Sequence, residues 1–505
     1  MNSTEVSNKR RKKLKLNLVA SLSSEISALV ASLVLPRLLL IYFGSGTNGL
    51  VSSIAQFLSF ISVCELGIGA VVKANLYSPL ANKDDFEISR IMKSAQKFFR
   101  LIAFILIVYS LCLAVLLPLR TKEFDYFFTA SLVMIIAVSS FAQYYFGITN
   151  QLLLTADQSA YIHLFVGSAI VLTNTLVCAI LMKLGAGIHV VKLATAFLYI
   201  IKPMILLVYV RKHYNIDKNI TITTEPIKQK WNGLAQHLAT IVQDNTDVIV
   251  LTLFSSLENV SIYSVYILVI NGIRQIMNIA NNSIGPLLGE LIVKRETETL
   301  NRTFSWYEWI MHTVATVLFT ITGVMIIPFI KIYTAGVEDA NYIVPSFALL
   351  ITCAGFFRCV EWIYNIVVHS AGHFKETQVA AIIEPIINIT ISILFVWKFG
   401  LVGVAIGTVT ALIYRCIYLV FYLSRHILNR KWIFFVKNIV VDIITAFLSI
   451  VAARMINVKY GNYFEWILFA AIVGIVVIVI SSLVNYVCYK ENMRVLLRKI
   501  MSRKK

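Results

Sequence analysis

LMKLGAGIHVVKLATAFLYIIKPMILLVYVRKH, residues 181–213, sets apolar runs on either side of a short glycine turn. The run after the turn, 188–210, and the run leading into it, 160–182, are each long enough, at about 1.5 Å per residue, to cross roughly 30 Å of hydrocarbon. Lipid offers no partner to backbone N–H and C=O groups, so such runs cross as helices. The pattern then returns. Laid over itself at an offset of about 215 residues, the stretch faces VWKFGLVGVAIGTVTALIYRCIYLVFYLSRH, 396–426. Lys183 and Gly185 fall on Lys398 and Gly400, TAFLY at 195–199 on TALIY at 410–414, and Asn150 on Asn365. The shared Lys-x-Gly turn and the TAxxY register argue for duplication over the chance likeness of two leucine-rich helices.

Runs of this length recur from end to end. The 505 residues are 58% hydrophobic and 14% charged, and the mean hydropathy is +0.78, far outside the range of soluble domains. The reading is an all-α polytopic membrane protein with fourteen spans, near 18–42, 48–76, 98–119, 127–153, 160–182, 188–210, 233–254, 260–288, 304–330, 343–369, 377–397, 401–424, 434–454 and 463–489. The basic start SNKRRKKLKLN resembles the opening of a signal peptide, but the span behind it is too long and carries Glu25, so it is expected to be a retained first helix.

A net charge of +19 would suggest nucleic acid in a soluble chain. Here most of the 45 Lys and Arg residues fall in segments that are cytoplasmic if the N-terminus is, which is the positive-inside pattern. They are scattered over separate loops, so no nucleic-acid partner is expected. The chain also ends on a basic stretch, KENMRVLLRKIMSRKK, which places both termini in the cytoplasm and requires an even number of spans. The seven cysteines, 64, 112, 178, 353, 359, 416 and 488, lie in expected spans without a CxxC spacing and read as packing residues.

The repeat pairs spans 5 and 6 with 11 and 12, so each half holds six spans facing the same way. The expected organisation is two pseudo-symmetric six-helix lobes: an N-lobe over 1–212, a polar cytoplasmic linker over 213–232 and a C-lobe over 233–430. Two extra C-terminal helices and a basic tail follow over 431–505. External loops are too short for a catalytic domain, and no GxxxxGK[ST] stretch supports an ATPase. The chain is not expected to be an enzyme.

The span over IVQDNTDVIVL, 241–251, carries two acids. Each charge at a helix centre opposes insertion by about 2.5–3.5 kcal/mol, so Asp244 and Asp247 must face protein or water. They continue a stripe with His237 and Thr240. Similar polar faces recur through Asn271, Arg274, Asn278, Asn281 and Asn282, through Arg358, Glu361, Asn365 and His369, and through Glu384 and Asn388, with Arg415 on span 12. The first half offers Glu25, Arg37, Glu65, Lys73 and Lys202. Such faces can enclose a wet cavity or act as interhelical glue. Arg274, Arg358 and Arg415, with Arg37 and Lys73, are the candidate cations for an anionic head group, because guanidinium forks suit phosphate and carboxylate oxygens. Arg358 and Glu361, three residues apart, can instead pair with each other. Asp244, Asp247, Glu384 and Asn388 offer oxygens that could hold Na+ or carry a proton, a candidate coupling site. No cofactor is called for.

The span-2 end ELGIGAVVKANLYSPLANKD, the turn LLLTADQSAY and the stretch QDNTDVIVLTLF followed by VSIYSVYILVINGIRQ resemble polysaccharide flippases. These are the O-antigen, or Wzx-type, members of the multidrug/oligosaccharidyl-lipid/polysaccharide exporter superfamily. The resemblance covers nearly the whole chain. It implies that an undecaprenyl-diphosphate-linked oligosaccharide is turned across the bacterial cytoplasmic membrane by alternating access, the head group passing a cationic cavity between lobes while the lipid tail stays in the bilayer. It further implies a cavity arginine at Arg274, an Na+ site at Asp247, Glu384 and Asn388, and a groove for the tail on spans 13 and 14. Membrane lipids, a polysaccharide polymerase and chain-length proteins would be partners. Relatives cluster arginines on spans 1 and 2, whereas here Arg37 and Lys73 stand alone. Two rivals remain: a multidrug or toxin extrusion antiporter for organic cations, usually of twelve spans, and a membrane polysaccharide polymerase.

Overall fold

The structure, a computed structural model, describes residues 3–217, 220, 234–456 and 461–502, and the side chains of all of these except 3–10, 62–67, 234–240, 280, 282, 283, 497 and 499–502. The side chains of Glu65, His237, Thr240 and Asn282 and most of the 213–232 linker therefore lie outside what the structure describes.

The chain is helical from end to end, with no strand among the described residues. In order the helices are α1 Ser3–Ser59, α2 Val63–Asn82, α3 Asp85–Arg120, α4 Tyr126–Ala142, α5 Ile148–Ala156, α6 Tyr161–Lys183, α7 Ile188–His213 and α8 Leu234–Phe254. Then follow α9 Leu257–Val293, α10 Thr297–Tyr333, α11 Pro345–Ser370, α12 Phe374–Phe399, α13 Leu401–His426, α14 Ile433–Arg454, α15 Tyr463–Cys488 and α16 Lys490–Ser502. A single wide turn, Gln143–Gly147, joins α4 to α5. Among the described residues twelve helices are long and apolar enough to cross a membrane, which makes the chain a multi-pass membrane protein. The expected second and seventh spans fall on α2 and α8, whose side chains are described only from Ile68 and Ile241 onward.

The boundaries of the first two spans move. The expected turn near 43–47 is a break at Gly44, with φ 79° and ψ 176°, inside the continuous stretch Ser3–Ser59. Only a residue without Cβ takes that conformation cheaply. A short turn over Phe60–Ser62 then leads to α2, so the expected span 48–76 is built from two helical pieces.

Hydropathy alone shows where a helix crosses, and burial shows which face meets protein. On α3, Ile91, Ala95, Phe99, Ile102 and Leu106 are buried at steps of three and four, while Phe104, Val108, Leu111 and Val115 on the other side are exposed. Both faces are apolar because one packs inward and the other meets hydrocarbon.

Contacts divide the chain into Met1–Ser261 and Ile262–Lys505. In the first unit α1 lies along α6, α3 along α4, and α7 against both α4 and α6. In the second, α13 is sandwiched by α11 and α12, and the pair α14–α15 packs on α10 around Met325, Ala453, Phe469, Val473 and Val477. The two Lys-x-Gly turns of the repeat close α6 and α12 on glycines of positive φ, 78° at Gly185 and 52° at Gly400.

The α12–α13 crossing is set by two small residues four apart, the spacing that lets helices touch backbone to backbone in lipid. A Cβ on Gly403 would stand 2.4 Å from the Phe395 carbonyl oxygen, and one on Gly407 2.9 Å from that of Asn388. Backbone cannot swing aside as a side chain can. Gly403→Ala is therefore expected to lower stability by about 1–3 kcal/mol, the usual toll of overpacking. Thermal unfolding in detergent reads it; an unchanged midpoint would mean the helices separate freely.

Candidate functional site

The close α12–α13 crossing carries Arg415, two turns beyond Gly407, to Glu384 on α12. The separation is 3.8 Å from Nε to Oε2, and the same Nε is 3.8 Å from Glu361 Oε1 on α11. Arg358, one turn before Glu361, donates from Nη1 to Glu361 Oε2 at 2.6 Å and to Glu384 Oε1 at 3.2 Å. Among the described residues four charges thus form one cluster on three helices. Their side chains are 2–12% exposed. Two guanidinium charges against two carboxylates leave no net charge, which is how such groups persist away from water. Arg415 is further held by Nη1 donating to the Thr377 carbonyl at 3.3 Å, and its guanidinium sits 5.9 Å from the Tyr418 ring centroid. The i, i+3 pairing of Arg358 with Glu361 is present as the sequence allowed. The cross-helix pairing of arginines with Glu384 joins residues that the sequence separated into a head-group set and an ion set.

Asn388, one turn along α12 from Glu384, is fully buried, and its Oδ1 accepts from Ser392 Oγ at 3.0 Å and Thr408 Oγ1 at 3.4 Å. Arg274 on α9 is half-buried. It donates from Nη1 to Asn271 Oδ1 at 3.0 Å, and its guanidinium lies 5.2 Å from the Trp362 ring centroid. Among the described residues no three His, Cys, Asp or Glu side chains gather as metal ligands.

Asp244 and Asp247 belong to the first unit. Their expected shared stripe divides: Asp247 is 4% exposed and Asp244 is open. The packing seam of α8 with α1 and α2 buries Gln243, Asn245, Thr246 and Asp247 and leaves Asp244 outside. That seam is stitched by polar pairs. Ser59 Oγ donates to Asn245 Oδ1 at 2.6 Å and the Ser53 and Thr252 hydroxyls meet at 2.7 Å; next to it, Asn48 Nδ2 donates to Ser261 Oγ at the start of α9 at 2.8 Å. The amide of Gln243 is buried with neither N nor O bonded. Arg37 and Lys73 are half-buried on α1 and α2 of the same unit.

Sequence reasoning missed Lys192, although a lone cation inside a span is the same signal that Lys202 gives. It lines a cavity of about 200 Å³ with Ser139, Asn174, Cys178, Thr195 and Tyr199. Also missed was a buried chain through Glu308, His312, Tyr364 and Asp442 in the second unit, for which the acid in α14 and the Glu-x₃-His step on α10 were available signals.

No profile of a known protein family matches the chain, and no curated protein does. Solved structures do. A lipid II flippase MurJ in an inward closed conformation is 16% identical, with a TM-score of 0.69 over 93% of this chain and 99% of its own. An inward-facing multidrug resistance MATE family transporter of the MOP superfamily is 12% identical, with a TM-score of 0.64 over 78% of this chain and 94% of its own. A MATE in a bent conformation is 12% identical, with a TM-score of 0.55 over 84% and 98%. At such identities the likeness is one of fold: the chain shares the fold of these solved structures, a lipid flippase and two MATE proteins.

Proposed function

We propose that the chain is a flippase that turns an undecaprenyl-diphosphate-linked oligosaccharide, a surface-polysaccharide repeat unit, across the bacterial cytoplasmic membrane by alternating access. The observation that carries this reading is coverage: the likeness to a lipid II flippase takes in 93% of the chain, against 78% for the inward-facing MATE transporter. The α14–α15 pair adds to it. Ile443, Phe447, Ile467, Leu468, Ile475 and Ile478 on these helices are exposed apolar side chains, a surface on which a polyprenyl tail can lie while its head group crosses. In this reading both termini are cytoplasmic, and repeat-related lobes over 1–212 and 233–430 carry the transport movement. Arg274, Arg37 and Lys73, with Arg358 and Arg415, are the cations offered to the diphosphate.

The second reading, a multidrug cation antiporter, is supported by the likeness to two MATE chains, covered to 94% and 98% of their own length. Purified protein in vesicles separates the two. Movement of a polyprenyl-diphosphate-linked saccharide to the opposite leaflet, read by lectin accessibility, is expected, without gradient-driven uptake of a fluorescent organic cation. Cation uptake without lipid movement would overturn the flippase reading.

Ion coupling is the remaining part of the proposal, with Na+ or H+ as the ion and, as candidate oxygens, Asp247 and Asp244 in the first unit and Glu384 and Asn388 in the second. A buried carboxylate responds to a gradient through its charge. Asp247→Asn keeps the shape and removes the charge, so the stimulation of flipping by an imposed Na+ or H+ gradient is expected to fall severalfold. The same stimulation in the variant would leave Asp247 a structural role only.

A further inference from the structure

A second buried polar chain crosses the second unit, apart from the arginine–carboxylate cluster. Arg430, in the connection between α13 and α14, donates from Nη2 to Glu308 Oε2 at 2.6 Å. The Tyr364 hydroxyl on α11 is 2.7 Å from Glu308 Oε1 and 3.0 Å from His312 Nε2. His312 Nδ1 is 2.6 Å from Asp442 Oδ2 on α14, and Asp442 Oδ1 accepts from Thr316 Oγ1 at 2.7 Å. Glu308 and His312 are each 2% exposed, Tyr364 1% and Asp442 7%.

Hydrogen counting fixes how many protons this chain holds. Tyr364 has one hydroxyl proton, and it goes to Glu308, whose other oxygen is engaged by a guanidinium and is a pure acceptor. The Tyr364 oxygen must then accept from His312 Nε2. At the other ring nitrogen the partner is again a carboxylate. A neutral imidazole has a single N–H and cannot serve both contacts. The pair His312–Asp442 therefore holds one proton more than a neutral ring beside a carboxylate.

Charge leads to the same count. With that proton, Arg430 and His312 balance Glu308 and Asp442; without it, a buried site is left with one net negative charge. Cys416 on α13, and Cys488 and Tyr489 at the end of α15, are neutral when protonated and leave the sum unchanged. Two lysines lie at the edge of the site, Lys431 at a small cavity shared with Arg430 and Tyr364 and Lys437 of α14 with Nζ 4.3 Å from the Tyr489 ring centroid, but both are exposed, where water screens their charge. Burial first, then the charges of Asp442 and Glu308, pushes the Tyr489 phenol up from its ordinary value, so it stays neutral.

We propose that His312, with Asp442 and Tyr364, is a proton-binding site joining α10, α11 and α14. When the proton leaves, Nδ1–H stays on Asp442, Nε2 becomes an acceptor, and the Tyr364 hydroxyl turns from Glu308 to the ring. The site is thus a hydrogen-bond switch: the proton decides whether Tyr364 ties α11 to Glu308 or to His312. Buried hydroxyls extend it along α14, where Thr445 and Ser449, one and two turns beyond Asp442, have no hydrogen-bond partner in the protein. This inference is independent of which cargo is carried.

The test uses the full chain in lipid nanodiscs with ¹⁵N-labelled histidine, the His312 signals being those lost in His312→Gln. Both ring nitrogens of His312 are expected to be protonated near pH 7 and Nε2 to lose its proton at higher pH. Asp442→Asn is expected to weaken proton binding by about tenfold or more, one decade per pH unit of midpoint. A singly protonated His312 near pH 7 in the wild type, or an identical titration in Asp442→Asn, would overturn the site. Should Asp442→Asn not accumulate, Tyr364→Phe leaves the ion pair and removes the acceptor at Nε2. Weaker proton binding is expected there too, and an unaltered titration would be equally fatal.

Discussion

Arg415→Ala is expected to cost the protein about 3–5 kcal/mol of stability, the range seen when one member of a buried ion pair is removed. The reason lies in the charge count at α11, α12 and α13. Arg415 is 2% exposed, and its loss leaves Glu361 and Glu384 with Arg358 alone between them. One carboxylate would then be buried with no counter-charge and must either be protonated or drag the helices apart. Size-exclusion profiles and thermal midpoints in detergent measure this. The double variant Arg415→Met with Glu384→Gln removes one charge of each sign and keeps Arg358 on Glu361. It is expected to recover at least about half of the loss, since a neutral replacement of a buried pair is often nearly harmless. A single variant as stable as the wild type would show that the cluster is not what holds these helices.

The same count bears on transport. An anionic head group that approaches the cluster meets no net positive charge, so Arg358 and Arg415 can grip phosphate only if Glu361 or Glu384 lets go. A cluster of this kind is suited to exchange, because the carboxylates and an incoming anion compete for the same N–H donors.

Most of the fold was legible in the chain because lipid imposes a length on every crossing and a polarity on every loop. The Lys-x-Gly turns at Gly185 and Gly400 show how local the signal is: each closes its helix on a glycine in a conformation that Cβ resists. What the sequence could not give was partnership. Arg358 and Glu361 share one helix, and spacing alone predicts their contact. Arg415 and Glu384 lie on different helices, and only the glycine-mediated crossing at Gly403 and Gly407 brings them together. Asp442 illustrates the converse. It is an acid in an apolar span, so its burial demanded a partner, yet nothing in α14 says that the partner is a histidine 130 residues earlier. The break at Gly44 falls in the glycine-rich gap between the first two expected spans, but hydropathy does not see a backbone angle, so the continuation of the helix to Ser59 was not legible.

On the flippase reading, Arg274→Ala is expected to reduce flipping at least tenfold, about 1.4 kcal/mol or more of lost transition-state stabilisation, while the protein accumulates and unfolds as the wild type does. The side chain is half-buried, and its contacts on α9 and α11, the Asn271 oxygen and the Trp362 ring, are of the kind that orient a guanidinium. A cation–aromatic contact at such a site is worth about 0.5–2 kcal/mol, so stability should fall only modestly. Arg274→Lys separates charge from shape. An ammonium retains the charge but cannot fork onto two phosphate oxygens, nor stack as a plane on Trp362. Partial flipping is therefore expected for lysine and almost none for alanine, measured with the same lectin-accessibility readout in vesicles. Glutamine at 274 should resemble alanine, since it donates hydrogen bonds without charge. Normal flipping in Arg274→Ala would remove this residue from the path of the head group and shift attention to Arg37 and Lys73. If alanine and lysine lose function equally, the fork and the stack, rather than the charge, are what the head group uses.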